Sequence, residues 1–272
     1  MFCFNNAAWL LLPLYTHWSV AQPFPSIAEV DLLFPRNDTY APTPLMPLVF
    51  AIHNPTDAAA LNLALEWALR YPAGANHLAV VSDGVITQSY SPTTTSNIYY
   101  MFSSLYNLTI LEGAWELIWL LSSDNCTMFP PNGSSTVGYT QIKSIIFNTN
   151  NSAPATDLLA ATTNDVCASA ESFTFNITGI EKISLGAGAG MTTCAVVAST
   201  SPITTPTPNP CAAQLNAADA SSISASLTAS ACGLPSSLVS CPARSVGVIQ
   251  RRLRGSTWVI ATFSWLLYTV VG

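Results

Sequence analysis

The sequence predicts an all-β protein: an antiparallel β-sandwich of the immunoglobulin/fibronectin kind, followed by a Ser/Thr/Pro-rich, disulfide-stapled C-terminal segment with one short helix. Three observations predict it. Large apolar residues recur at every second position through most of the chain, which places them on one face of a strand. Turn-forming residues, among them 19 prolines and 13 glycines, punctuate those runs. Six cysteines are spread from Cys126 to Cys241, with no close Cys-x-x-Cys pair of the kind that holds zinc. Taking the elements in order, Val30, Leu32 and Phe34 alternate with Glu29 and Asp31, a strand whose polar face is expected to be solvated. Leu48, Phe50 and Ile52 form a second strand, closed by an Asn54-Pro55 turn. From Leu61 to Leu69 every odd position is large and apolar, which favours a strand over a helix. His77 to Ser82 and Val85 to Tyr90 read as a hairpin about Asp83-Gly84, a dipeptide suited to a type I′ turn. Further strands are expected at Ile98–Phe102, Leu108–Leu111, Ala114–Leu121, Gly138–Phe147, Phe173–Thr178 and Cys194–Ala198. Ala114–Leu121 is apolar on both faces and belongs at the centre of a sheet.

Composition shifts after Ala198. The run STSPITTPTPNP from Ser199 to Pro210 is extended in character and suited to O-glycosylation, and an Ala/Ser-rich stretch from Ala212 to Ala231 is the one good helix candidate. Both ends read as addresses. The apolar run Ala7–Tyr15, followed by Ser19-Val20-Ala21, has the form of a secretory signal cleaved after Ala21. At the other end an apolar tail from Trp258 to Gly272 follows Arg251-Arg252-Leu253-Arg254 and the small residues Ser245-Val246-Gly247. Fifteen apolar residues fall short of the roughly 20 a spanning helix needs. The pattern is that of a GPI-attachment signal, with Ser245 as the acceptor and Ala243 as its runner-up. A membrane-spanning anchor and basic processing at the Arg cluster are the competing readings. The expected organisation is therefore a signal peptide (1–21), a β-sandwich ectodomain (22–198), a Cys-containing Ser/Thr/Pro-rich segment and stalk (199–245) and a GPI propeptide (246–272).

Cysteines and sequons agree with export. Cys3 lies in the signal, leaving Cys126, Cys167, Cys194, Cys211, Cys232 and Cys241, an even set that reads as three disulfides with 15 possible connectivities. Asn-x-Ser/Thr sequons stand at Asn37, Asn107, Asn125, Asn132, Asn150 and Asn176. Only 8% of residues are charged, with 14 acidic against 8 basic and a formal net charge of −6. No basic stripe exists for nucleic acid, and glycans would supply the solvation that charge does not.

Some blocks carry a resemblance. Glu29–Thr43 (EVDLLFPRNDTYAPT), Pro47–Pro55 (PLVFAIHNP), Trp115–Cys126 (WELIWLLSSDNC), Asn209-Pro210-Cys211 and Ser221–Thr228 are similar to a fungal secreted family known as domain of unknown function 7136. The similarity covers roughly Ile27 to Cys241. It implies an extracellular fungal protein, fits the GPI signal and carries over no activity and no catalytic residue.

The sequence carries few candidates for chemistry. There is no Gly-x-Ser-x-Gly, and His53 and His77 read as strand-end or surface histidines. Glycoside hydrolysis needs two carboxyl groups about 5 to 9.5 Å apart. Glu112 and Glu116 would be about 13 Å apart on one strand, while Glu29 and Asp31 would be about 6.6 Å apart but on a solvated face. Gly186–Gly190 lacks the spacing of a dinucleotide loop. Trp67, Trp115 and Trp119 fall on apolar faces and are expected in the core, leaving Tyr99 and Tyr100, with Tyr40 or Tyr71, as the candidate ligand platform. No catalytic residue, metal or cofactor is expected. The expectation is a GPI-anchored cell-surface glycoprotein, held to the membrane through its lipid, with a structural or interaction role at the fungal cell wall. Its partners would be wall polysaccharide or surface proteins; a polysaccharide-binding module and a wall-remodelling glycoside hydrolase are the rivals.

Overall fold

The computed structural model describes residues 24–71, 80–87, 96–106, 108, 112–129, 133–184, 191–198, 206–233 and 239–241. Strands occupy 52% of the residues, so the all-β expectation holds. Ten strands form two five-stranded sheets. The first sheet has the order β10 (Met191–Val197), β9 (Ser172–Ser184), β1 (Ser26–Phe34), β3 (Met46–His53), β6 (Ile98–Leu105), and it curls into a half-barrel. The second has the order β2 (Thr39–Tyr40), β8 (Gly133–Thr149), β7 (Gly113–Phe129), β4 (Ala64–Arg70), β5 (Val80–Thr87). All pairings are antiparallel except the short β2–β8 contact, which is parallel, so the wholly antiparallel expectation needs that correction.

The two sheets share one hydrophobic core. Trp119 on β7 sits at its centre, its ring 5.1 Å from that of Phe50 on β3 and 4.5 Å from that of Phe173 on β9. Trp67, Trp115 and Trp119 are all buried, as the strand faces predicted, and the Trp115 indole N–H donates to the Thr149 hydroxyl at 2.8 Å. Strand β7 lies between β8 and β4, where its two apolar faces place it. The Cys126–Cys194 disulfide joins β7 of one sheet to β10 of the other.

Three sequence expectations fail for identifiable reasons. The alternation from Leu61 is a strand only from Ala64; Asn54, in the left-handed region at φ 50°, turns the chain into helix α1 (Pro55–Ala58) and a 3-10 turn (Ala59–Leu61) first. Leu108 is not in a strand, and 109–111 lie outside the described residues. Asp83-Gly84 is no hairpin turn: β5 runs straight through it, with Gly84 directly opposite Trp67 on β4. The Trp67 ring lies across the glycine, and a Cβ there would come within 2.9 Å of the indole. Glycine stands in this strand because an aromatic ring on the neighbouring one occupies the place of its side chain.

The first sheet is covered on its second face as well. After β10 a strap formed by residues 206–232 runs over the first sheet, bonded to β9, β1 and β6. It begins in a 3-10 turn at Pro210–Ala212 and ends in helix α3 (Ala217–Cys232), inside the predicted Ala/Ser-rich stretch. Asn216 caps that helix, its Oδ1 accepting the Asp219 N–H at 2.9 Å, and Ile223, Leu227 and Ala231 form its buried stripe. The strap is fastened at several points. The Thr174 hydroxyl donates to the Pro206 carbonyl (3.2 Å), the Tyr100 hydroxyl to the Gln214 carbonyl (3.1 Å), and the Leu215 N–H to the Thr162 hydroxyl (3.2 Å). Cys167, closing the short helix α2 (Asn164–Cys167), is bonded to Cys211, and Cys232 to Cys241. All six expected cysteines are therefore paired, in a connectivity the sequence left open. The second sheet keeps an exposed outer face carrying Val85, Ile142 and Ile146.

Gly84→Ala tests the Trp67 contact. The added methyl must displace the indole, and we expect a loss of about 1–3 kcal/mol in urea unfolding with an unchanged m-value. A neutral outcome would mean that the ring does not rest on the glycine.

Candidate functional site

A buried polar group lies on β1 and β3, under the strap. Glu29 and His53 are direct cross-strand partners, and Asp31 lies two residues along β1 on the same face. That face turns away from the shared core. The sequence placed Glu29 and Asp31 on a solvated face, and the structure corrects this: Glu29 is 4% exposed and Asp31 0%. The physical reason is the strap. β1 is the middle strand of its sheet, with the core on one side and residues 206–232 on the other, so both its faces are buried. His53 is also not a surface residue. Its Nε2 is 2.6 Å from Asp31 Oδ2, and its side chain is only 14% exposed.

The Asn209 backbone N–H donates to both oxygens of Glu29, at 2.8 and 3.0 Å, which ties the strap to the centre of the sheet. Burial, then the hydrogen bond and charge of the Asp31 carboxyl, push the Glu29 carboxyl from its ordinary 4.5 up to about 7, against the pull of the Asn209 amide and His53. For His53 burial works to lower the pKa, but the hydrogen bond and charge of Asp31, with the charge of Glu29, outweigh it and hold the imidazole above its usual 6.5. One Nε2 and two carboxylates, all within 4.8 Å of one another, make a donor set able to share protons or to hold a cation. Acid–base work on a substrate would require an opening to it, and the strap covers the group.

A second polar region opens at the sheet edge. A cleft of about 570 Å³ is lined by Pro35, Arg36, Asn37, Glu116, Ser144 and Glu171, among others. Both carboxylates are engaged in ion pairs, Glu116 with Arg70 at 2.9 Å and Glu171 with Lys143 at 2.7 Å. Arg36 is buried, and its guanidinium nitrogens have no hydrogen-bond partner. Burial lowers its pKa, opposed by the nearby Tyr40 and Asp31. No aromatic ring lines this cleft.

The expected tyrosine platform is not assembled. Tyr99 and Tyr100 do point to opposite faces of β6, but Tyr99 packs against the core and Tyr100 is committed to the strap. Tyr40 is buried against Phe34, their rings 4.9 Å apart, and Tyr71 stacks on Trp115 at 4.9 Å. The sequence reading missed Tyr139, which is 50% exposed on β8 beside a small cavity of about 200 Å³ lined by Gln141, Phe175 and Val197. Its place in an alternating strand was the available signal. Of the sequons, Asn37 and Asn150 are exposed. Asn125 and Asn176 are half-buried, the Asn125 side-chain Oδ1 accepting the Val197 N–H at 2.8 Å. Asn107, Asn132, His77, Gly186–Gly190, the signal segment, Ser245 and the apolar tail lie outside the described residues.

These features define a two-sheet β protein, stapled by three disulfides, whose C-terminal strap closes over a carboxylate–imidazole group. Residues 23–241 match the family model described as domain of unknown function (DUF7136), and the chain belongs to that family. No curated protein and no solved structure matches it.

The raised pKa values set a sign for the pH dependence of stability. Each group binds its proton more tightly folded than unfolded. The stabilisation is full below the ordinary carboxyl value of 4.5 and is lost as pH rises through about 7 for Glu29, with His53 adding in the same direction. With a chelator present, the melting temperature should fall between pH 5 and pH 8, and Glu29→Gln should remove most of that slope. Equal slopes in both proteins, read by scanning calorimetry, would place the titrating group elsewhere.

Proposed function

We propose that this protein is an exported fungal surface glycoprotein, held by a GPI anchor at the plasma membrane or wall, that acts as a structural or interaction module without catalysis. The observation that carries this reading is the pairing of all six cysteines beyond Cys3 into three disulfides, the state an oxidising compartment produces. The signal-like start, the small-residue and apolar-tail pattern about Ser245 and the exposed Asn37 and Asn150 sequons point the same way. The closed position of Glu29, Asp31 and His53 argues against a hydrolytic role for the pair whose spacing came closest to one. The kinship to immunoglobulin- and fibronectin-like sandwiches belongs to this reading too, supported by two facing five-stranded sheets and opposed by the curl of the first.

One observation favours a second reading, a polysaccharide-binding module. Tyr139 presents an exposed ring next to a cavity, the arrangement on which a sugar face stacks. Two measurements separate these readings. Phosphatidylinositol-specific phospholipase should release the protein from intact cells; retention after treatment would overturn the lipid anchor. In co-sedimentation with insoluble β-glucan and with chitin, the interaction reading expects the glycosylated protein to stay in the supernatant. Depletion that Tyr139→Ala abolishes would establish the polysaccharide module instead.

A further inference from the structure

We propose that Glu29, Asp31 and His53 bind one divalent transition-metal cation of the Zn²⁺ or Mn²⁺ class beneath the C-terminal strap. The inference goes beyond the surface-module reading and does not depend on it.

Two carboxylates, hydrogen-bonded to each other, are gathered in a buried place where the other polar partners are one imidazole and one backbone amide. Asp31 is fully buried, yet its Oδ1 has no hydrogen-bond partner. The Ser172 hydroxyl, at the register position opposite Asp31 on β9, is buried and unpartnered as well. Arg36 feels the charge of Asp31, but its guanidinium makes no hydrogen bond to that carboxylate. Buried carboxylates that lack enough donors take up a proton or a metal ion.

Geometry favours the metal. The three donor atoms come from the Glu29–His53 pair and from Asp31 two residues along β1, and lie within 4.8 Å of one another, so the set exists before any ion arrives. Zinc sits about 2.0–2.2 Å from imidazole nitrogen and carboxylate oxygen, which separates tetrahedral donors by roughly 3.3–3.5 Å. The His53–Asp31 contact of 2.6 Å would open by less than about 1 Å to admit it, or Asp31 would turn its free Oδ1 inward. The donor types choose the ion class. Calcium and magnesium ask for six or more oxygens and ready access to water, whereas a nitrogen with two carboxylates in a closed site suits zinc or manganese. Glu29 also holds the Asn209 amide, so an ion here would lock the strap to β1.

The test uses the disulfide-bonded, full-length protein, stripped with EDTA and dialysed. Titration with ZnCl₂ or MnCl₂ at pH 7.5 should show one equivalent bound and a melting temperature raised by several degrees. Proton release should accompany binding, because the ion displaces what the carboxyl groups hold. Co²⁺ should give the visible absorption of a low-coordinate site with a nitrogen ligand. Glu29→Gln and His53→Gln, shown to be folded by circular dichroism, should weaken binding by more than about tenfold, and His53→Gln should change the Co²⁺ spectrum. Absence of Zn²⁺ and Mn²⁺ binding in the parent protein would overturn the proposal and assign the cluster to shared protons. Binding that survives in both variants, or binding of CaCl₂ alone, would overturn it equally. The parent protein decides the first question even if a variant fails to fold.

Discussion

The structure turns on the covering of the first sheet from both sides. A sheet in a two-layer β protein normally buries one face and leaves the other to water, which is what the second sheet does with Val85, Ile142 and Ile146. The first sheet does not: β1 is buried on both faces from Ala28 to Phe34. Residues 206–232 supply the missing layer, and the Asn209 amide on Glu29 is the contact that registers it against the middle strand. The Cys167–Cys211 disulfide holds the start of the strap beside that contact and limits how far it can lift in the unfolded chain. Removing the strap would leave Glu29 and Asp31 as the polar face that a local reading of β1 expects.

That contrast marks what the sequence makes legible. Periodicity depends on neighbours two residues apart, so β3, β6 and β10 could be read close to their observed places, and β7, β8 and β9 were located but read short. The burial of the tryptophans followed from the same alternation. What lay 180 residues away did not register: Glu29 meets Asn209 only because the chain returns after β10, and no local pattern in EVDLLF announces a cover. Gly84 failed for a related reason. Asp-Gly is a strong local turn signal, but the ring of Trp67 on the next strand occupies the space above the glycine and keeps it in the ladder. The candidate site was visible as two carboxylates at strand spacing and one histidine, and invisible as a group. Cross-strand register, which aligns Glu29 with His53, is a property of the assembled sheet.

The scarcity of charge gives this group its weight. With few ionisable side chains in the chain, several are spent on ion pairs at the cleft edge, Arg70 with Glu116 and Lys143 with Glu171. Such part-exposed pairs contribute little to stability. Lys143 also lies 5.3 Å from the centre of the Phe173 ring, so it closes the edge of the core as much as it neutralises a carboxylate.

A purely stabilising design would have placed apolar residues at 29, 31 and 53. Buried ionic clusters replaced by well-packed apolar side chains often leave a protein equally or more stable, so stability alone does not account for this one. Registering the strap accounts for Glu29, because a carboxylate can accept the Asn209 N–H where an apolar side chain would let the segment slide. It does not account for Asp31, whose Oδ2 meets His53 and whose Oδ1 is unpartnered in the interior. Nor does it account for His53, whose imidazole is hydrogen-bonded to Asp31. The two residues become intelligible together if the cluster has a further occupant, a proton at low pH or a cation at neutral pH. In either case the occupancy of a site at the middle of the sheet would set how firmly the C-terminal layer, and whatever follows it in the chain, is held.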